Sequence, residues 1–177
     1  AKSLADICKV NVCSSAEDVI ASSDVLVLAV KPNVLPDVVT QLKNKIIEKS
    51  PLVISIAAGK TLEFLEGLIA KDFPIVRVMP NINAKVGCAT SAFCTTETVS
   101  DEQKAIVKKL FSTVGAVTEL SEKMFSIHSV IGGAAPAFAY LYIDALSRAA
   151  VKAGMPKKQA LELTAQTVLG SAKMVLE

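Results

Sequence analysis

The chain has 177 residues, 51% of them hydrophobic and 20% charged, and no Trp. A chain of that length makes one domain or one and a half and buries about 70% of its unfolded surface, so a core forms without metals or disulfides and disorder is excluded. Nineteen basic against seventeen acidic side chains leave +2 with no basic run, which argues against a nucleic-acid partner.

Val10–Cys13 reads as a short strand, and Ser15 with Asp18 as a capping box opening a helix to about Ala21. Asp24–Val30 is a continuous apolar run, the pattern of a parallel, central strand covered on both faces. Lys31-Pro32 stops it, because Pro32 cannot donate to a ladder. Asn33 to about Glu48 is a predicted helix with Val34, Val38, Leu42 and Ile46 on one face. Leu52–Ile56 is a second buried strand, Ala57-Ala58-Gly59 a turn, and Thr61 the cap of a helix ending near Ala70. Ile75–Met79 is a third strand. A repeat of roughly 25 residues per strand and helix suits right-handed parallel crossovers. Gly87–Thr95 and Ala116–Leu120 read as further strands. Ser100 and Gln103 box a helix between them, running to about Val114 with Gly115 as its C-cap.

After Ser121 the pattern is helix only. Lys123–Val130 is helical, Gly132–Pro136 is a break, and Pro136 suits the first turn of a helix running to about Ala153. Gly154 ends that helix, and Pro156 starts the last one, to Glu177. Both late helices are apolar on more than one face, with Ala137, Ala145, Ala149, Ala153, Ala160, Ala165 and Ala172 small enough for close contact. Such helices must be buried, so a partner helix from outside this chain is expected. The domain boundary is placed near residue 121, giving domains 1–120 and 121–177.

A membrane span is not expected, because the longest apolar stretch, Ala134–Val151, holds Asp144 and Arg148. No charged leader with an apolar core opens the chain, so no secretory signal is expected. Cys8, Cys13, Cys88 and Cys94 lack metal-ligand spacing, and the single His128 is distant in sequence, so no metal site is expected. Reduced thiols in a cytoplasmic protein are the plain reading. Paired catalytic carboxylates and a Ser/His/Asp triad find no support, and His128 reads as a surface or packing residue. No G-x-G occurs in the 177 residues.

Ligands of open parallel sheets bind beyond the carboxyl ends of the strands. Three such ends have unusual content: Ala29-Val30-Lys31-Pro32, Ala57-Ala58-Gly59, and Met79-Pro80-Asn81. Small residues admit a flat group, Lys31 brings a cation, and Asn81 a donor and an acceptor. Each alone also suits a plain strand-to-helix turn; three on one sheet edge favour a ligand cleft. Gly132–Pro136 is a fourth candidate, its amides beside a helix N-terminus suited to a carboxylate.

Leu28-Ala-Val-Lys-Pro32, Ile56-Ala-Ala-Gly59, Arg77-Val-Met-Pro-Asn-Ile-Asn-Ala84, Gly132-Gly-Ala-Ala-Pro-Ala-Phe138 and Ala165-Gln-Thr-Val-Leu-Gly-Ser-Ala-Lys-Met174 occur in this order. Together they resemble the pyrroline-5-carboxylate reductases, over essentially the whole chain. The resemblance implies an α/β fold, with a Rossmann-like parallel sheet followed by an all-helical dimerisation domain. It also implies a homodimer through the late helices, with higher assembly an option, and hydride transfer from NADPH, or NADH, to the ring imine of pyrroline-5-carboxylate. By the same resemblance Ala29, Val30, Lys31, Pro32, Ile56, Ala57, Ala58 and Asn81 would contact the cofactor. Gly132, Gly133, Ala134, Ala135 and Pro136 would form the substrate-carboxylate segment.

Several positions depart from the family pattern. Gly132 and Ala134 stand at two usual serines, Phe138 at a usual tyrosine, Ala16 at a frequent asparagine, and Ile82-Asn83 at a usual Thr-Pro. The resemblance further implies that the first two strands and the Gly-rich phosphate turn lie before Ala1. The Pro-Gly-Gly-x-Thr segment, with the family's catalytic threonine, would lie after Glu177. The chain thus reads as the middle of a reductase, with both domains partial and no turnover expected from the 177 residues alone. Two other readings stay open: a related oxidoreductase acting on another small acid, and a non-catalytic oligomeric binding module.

Overall fold

The computed structural model describes residues 2–177, with side chains from residue 5. It divides into two compact units, Ala1–His128 and Ser129–Glu177.

The first unit is a five-stranded sheet with helices on both faces. Its elements run α1 (Lys2–Cys8), α2 (Ala16–Ser22), β1 (Val25–Leu28), α3 (Leu35–Lys49), β2 (Leu52–Ser55), α4 (Leu62–Leu68), β3 (Ile75–Met79), β4 (Ala89–Thr95), α5 (Asp101–Ser112), β5 (Gly115–Glu119) and the short α6 (Phe125–His128). A 3-10 turn over Ile82–Val86 joins β3 to β4, and another over Glu122–Met124 leads into α6.

Strand order is sequence order, β1 to β5. β1, β2 and β3 are parallel neighbours, as their spacing predicts. β4 runs antiparallel to β3 and parallel to β5, so the sheet is mixed. Among the described residues no strand follows β5.

The helix starts follow their local signals. Ser15 Oγ accepts from Asp18 N while Asp18 reaches back to Ser15 N, and Ser100 and Gln103 do the same at α5. Thr61 caps α4 by accepting from Phe64 N.

Several other expectations need correction. Val10–Cys13 forms no strand: it has no ladder partner, and Val10 and Val12 are exposed. Among the described residues β1 pairs in parallel with β2. Its burial alternates, with Leu26 and Leu28 covered and Val27 40% exposed. An unbroken apolar run permits cover on both faces; neighbours must supply it. β2 and β3 have that cover, with β2 buried throughout and only Met79 of β3 less than fully buried. The buried line of α3 is Leu35, Val39 and Ile46, with Leu42 partly buried, and Val34 is the exposed N-cap. The helix starts later than the apolar period alone indicates, because Lys31 O takes the amides of both Val34 and Leu35 in the opening turn.

On one face of the sheet, Ile20 of α2, Leu35, Val39 and Ile46 of α3, and Leu65 of α4 pack on Leu26, Leu28, Val53 and Ile75. On the other, Val107 of α5 packs with Leu52, Ile54, Val76, Val78 and Phe93. At about 1.5–3 kcal/mol per fully buried aliphatic side chain, these two layers are the main source of the unit's stability.

Gly115 is not the C-cap of α5. That helix ends at Ser112 with Thr113 as cap, and Gly115 opens β5 at φ +146°. A Cβ there would collide with the backbone of Ala89, its partner in the ladder. Glycine is required by close approach and not by a helix end.

The second unit is helical. Ser129–Ala134 is a π-helical turn that runs directly into α7 (Ala135–Lys152), and α8 (Lys157–Leu176) packs on α7. The expected break at Gly132–Pro136 is therefore absent. Pro136 sits within the first turn of α7, where the missing N–H costs little. Ser147, Ala160 and Thr164 are buried, all small enough for close helix contact. Phe138, Leu141, Tyr142, Leu146, Leu169 and Met174 remain exposed. Because no break intervenes, the helical run Glu122–Lys152 is, by length and composition alone, long and apolar enough to cross a membrane. That corrects the expectation from span length, although the Asp144–Arg148 ion pair sits inside the run at 2.7 Å.

Candidate functional site

Parallel neighbours end on the same edge. The sheet therefore brings Ala29–Pro32 after β1, Ile56–Ala58 after β2 and Pro80–Asn81 after β3 side by side. Ile56 N donates to Leu28 O at 3.3 Å, extending the β1–β2 pairing into the first two turns. Ala57 is buried and its amide donates to Ser55 Oγ at 3.4 Å, which fixes the second turn from below. Ala29 and Ala58 are exposed, with nothing beyond Cβ to obstruct a flat group. Gly59 follows at φ +74°, a left-handed conformation that keeps this turn short.

The third turn is built by Asn81. Its Oδ1 accepts from Asn83 N at 3.2 Å and its carbonyl from Ala84 N, so it caps the 3-10 turn over Ile82–Val86. Lys31 is exposed and forms no ion pair among the described residues. Its carbonyl, by contrast, is held by the first turn of α3. A side-chain-poor edge with one cation fits the ribose and phosphate wall of a dinucleotide.

Gly132, Gly133, Ala134, Ala135 and Pro136 belong to the second unit. Gly132 is buried, while Gly133 and Ala134 are exposed. Their amides do not crown a free helix N-terminus, since the π-helical turn runs straight on into α7. The predicted anion-binding helix end is corrected accordingly. The wider π turn is the feature present, and such turns interrupt the regular i→i−4 ladder.

Sequence reasoning missed a buried network beside the third turn. Arg77, in the middle of β3, is 8% exposed. Its Nη1 donates to Glu122 Oε1 at 2.8 Å, and the same oxygen accepts from Leu62 N at the start of α4. The guanidinium lies over the Phe125 ring at 4.4 Å, and Phe125 packs with Ala92 and Cys94. His128, read as a surface or packing residue, is partly buried. Its Nε2 lies 3.1 Å from the Met79 carbonyl, and its ring is tilted against Phe125. Glu122, Phe125 and His128 recur every three residues and so share one helical face on the end of β3. The available signal was a lone arginine inside the apolar run Ile75–Met79, which demands a buried carboxylate.

Cys94 borders this network. Burial, reinforced by the charge of Glu122 and opposed by Arg77, pushes its thiol up to about 12, so it stays protonated and unreactive at neutral pH. Cys8, Cys13 and Cys88 are exposed and free, and no cluster of metal-ligating side chains occurs among the described residues. Thiol titration of the native chain at pH 8 should therefore count three fast groups, with the fourth released only on denaturation. A fourth fast group would show that Cys94 is accessible.

A family model described as pyrroline-5-carboxylate reductase dimerisation matches residues 122–177. One described as NADP oxidoreductase coenzyme F420-dependent matches residues 1–59. The chain is 42% identical to the pyrroline-5-carboxylate reductase of Arabidopsis thaliana, over 94% of this chain and 59% of that protein. It is 38% identical to the Escherichia coli K12 enzyme of the same name, over 95% and 62%. Among solved structures, a pyrroline-5-carboxylate reductase from Coxiella burnetii aligns with a TM-score of 0.93 at 35% identity, covering 99% of this chain and 65% of that one. The Plasmodium falciparum pyrroline carboxylate reductase with NADP bound aligns at 0.88 with 34% identity, covering 95% and 63%. The chain spans about three fifths of the length of the curated relatives it matches. Sequence and backbone agree along almost all of these 177 residues, and the chain is similar throughout to pyrroline-5-carboxylate reductases.

Proposed function

We propose that the protein carrying this chain reduces 1-pyrroline-5-carboxylate to L-proline with NADPH, the last step of proline biosynthesis. The observation that carries the reading is the alignment of Ala29–Pro32, Ile56–Ala58 and Asn81 along one sheet edge, in a chain similar throughout to reductases of that name. A relative with NADP bound supports NADPH over NADH. The cofactor, when bound, supplies a hydride to the imine carbon while the imine nitrogen takes a proton from solvent or a nearby donor. This chain's residues supply positioning. Ala29 and Ala58 leave room for the ribose to lie against the strand ends, and Lys31 contributes charge near ribose or phosphate. Asn81 shapes the turn that borders the nicotinamide. Gly133 and Ala134 leave the backbone of the π turn uncovered, which suits the substrate carboxylate. Holding cofactor and imine at attack distance supplies roughly 7–11 kcal/mol of barrier reduction.

The test is loss of nicotinamide absorbance on adding pyrroline-5-carboxylate to the protein expressed from its whole reading frame. No oxidation with either nicotinamide cofactor would overturn the reading. Within an active enzyme, Lys31→Ala should raise the cofactor KM about 10- to 100-fold, the equivalent of a charge-assisted hydrogen bond of about 1.5–3 kcal/mol. An unchanged KM would make Lys31 a solvated strand end.

The same reading includes a cytoplasmic homodimer through the late helices. Its support is the dimerisation model over residues 122–177 and the exposure of large apolar side chains on both late helices, Leu141, Leu146 and Leu169 among them. Four free thiols suit a reducing compartment. Light scattering should give twice the chain mass, and Leu146→Asp with Leu169→Asp should halve it. A wild-type monomer with these residues in water would rule the dimer out.

A further inference from the structure

We propose that His128 is a positioning residue for the strand end Met79–Asn81, acting through a hydrogen bond from its Nε2 to the Met79 carbonyl. The bond spans 3.1 Å and joins α6 to the last residue of β3. A carbonyl oxygen only accepts, so Nε2 must carry the proton, and this contact fixes the ring as the Nε2–H tautomer or the imidazolium. Both donate from the same nitrogen. The ring itself is held in place by Phe125, which is 1% exposed beneath the Arg77 guanidinium.

The position of the accepting carbonyl gives the bond its consequence. Met79 is the last β3 residue paired with β4, opposite Ala92. Pro80 follows and has no amide to extend the ladder, so beyond Met79 the backbone leaves the sheet without that tie. Asn81 then builds its turn from its own side chain and carbonyl. The peptide between Met79 and Pro80 is the hinge of that turn, and His128 grips its oxygen from outside the sheet. Any loosening there displaces Asn81, whose placement on the strand edge is what the proposed cofactor site uses. The functional significance rests on that reading; the positioning itself does not.

Amide exchange of the protein expressed from its whole reading frame tests it without cofactor. In His128→Ala, the amides of Asn83 and Ala84, both bonded to Asn81, should exchange about fivefold to tenfold faster, as expected for one lost hydrogen bond. Val53 and Ile54 of β2 should keep their rates. His128→Gln, whose amide nitrogen can reach the same carbonyl, should restore most of the protection. Faster exchange everywhere, or no rescue by glutamine, would reduce His128 to packing and overturn the proposal. So would unchanged rates at Asn83 and Ala84. If the alanine variant does not fold, the wild type decides: 15N spectra of the imidazole must show a protonated Nε2 at neutral pH, and a neutral Nδ1–H ring would refute the bond. Because this measurement needs no turnover, a protein that fails as a reductase would still show whether His128 holds the Met79 carbonyl.

Discussion

Gly115→Ala is expected to destabilise the first unit by about 3 kcal/mol or more, enough to leave a marginal domain partly unfolded. Two costs add. The φ of +146° lies where a residue with a Cβ is strained, and the new methyl would meet the backbone of Ala89 rather than a flexible side chain. A side-chain tip can rotate away; a paired strand cannot. Relief requires β5 to separate from β4 around the Ala89–Gly115 pair, and with it the hydrogen bond from Ala89 N to Val114 O at 2.8 Å. Urea unfolding followed by circular dichroism would measure the loss, and exchange of the Ala89 amide would locate it. A variant within about 1 kcal/mol of wild type would mean that the two strands do not approach as closely as described.

The second large effect is expected at Glu122. Its Oε1 serves two donors at once, the buried Arg77 guanidinium and the partly buried Leu62 amide, both at 2.8 Å. Glu122→Ala leaves Arg77 charged and nearly enclosed, and leaves the first amide of α4 without its acceptor. Removing one partner of a buried pair costs about 3–5 kcal/mol; the Glu122 side chain is one third exposed, so about 2–4 kcal/mol is expected. Glu122→Gln keeps an acceptor oxygen for Leu62 and should cost less. Arg77→Met on its own removes the charge together with its need for a partner. The double variant Arg77→Met, Glu122→Ala should therefore be more stable than the sum of the singles by about 1–3 kcal/mol. Additivity within experimental error would mean that the two side chains do not interact, despite their geometry. Because Phe125 is held under the same guanidinium, Glu122→Ala should also broaden the His128 imidazole signals.

What the sequence determined by itself was local. Ser15, Thr61 and Ser100 cap where their spacing says they should, because a cap needs only its own oxygen and an amide two or three residues on. The three parallel strands were legible for a similar reason. A short apolar run bounded by Lys-Pro or Ala-Gly has few other uses, and crossovers of that length permit only parallel return. With the strands in place, the three turns had to share an edge, so most of the candidate site was legible in the order of residues alone.

Tertiary structure decided which surfaces were covered and what the buried polar groups met. An apolar run does not say which face its neighbours will cover, and Val27 is 40% exposed between the buried Leu26 and Leu28. Gly115 looks like a helix cap in sequence, and only the approach of Ala89 from 26 residues away reveals its strand role. Gly132–Pro136 carries every residue type of a break, yet a π turn absorbs the misfit and the helix continues. Arg77 and Glu122 lie 45 residues apart along the chain, and nothing in either segment names the other as its partner. Ion pairs, close backbone approaches and shielding from water all depend on the distance between groups remote in sequence, and only folding sets that distance.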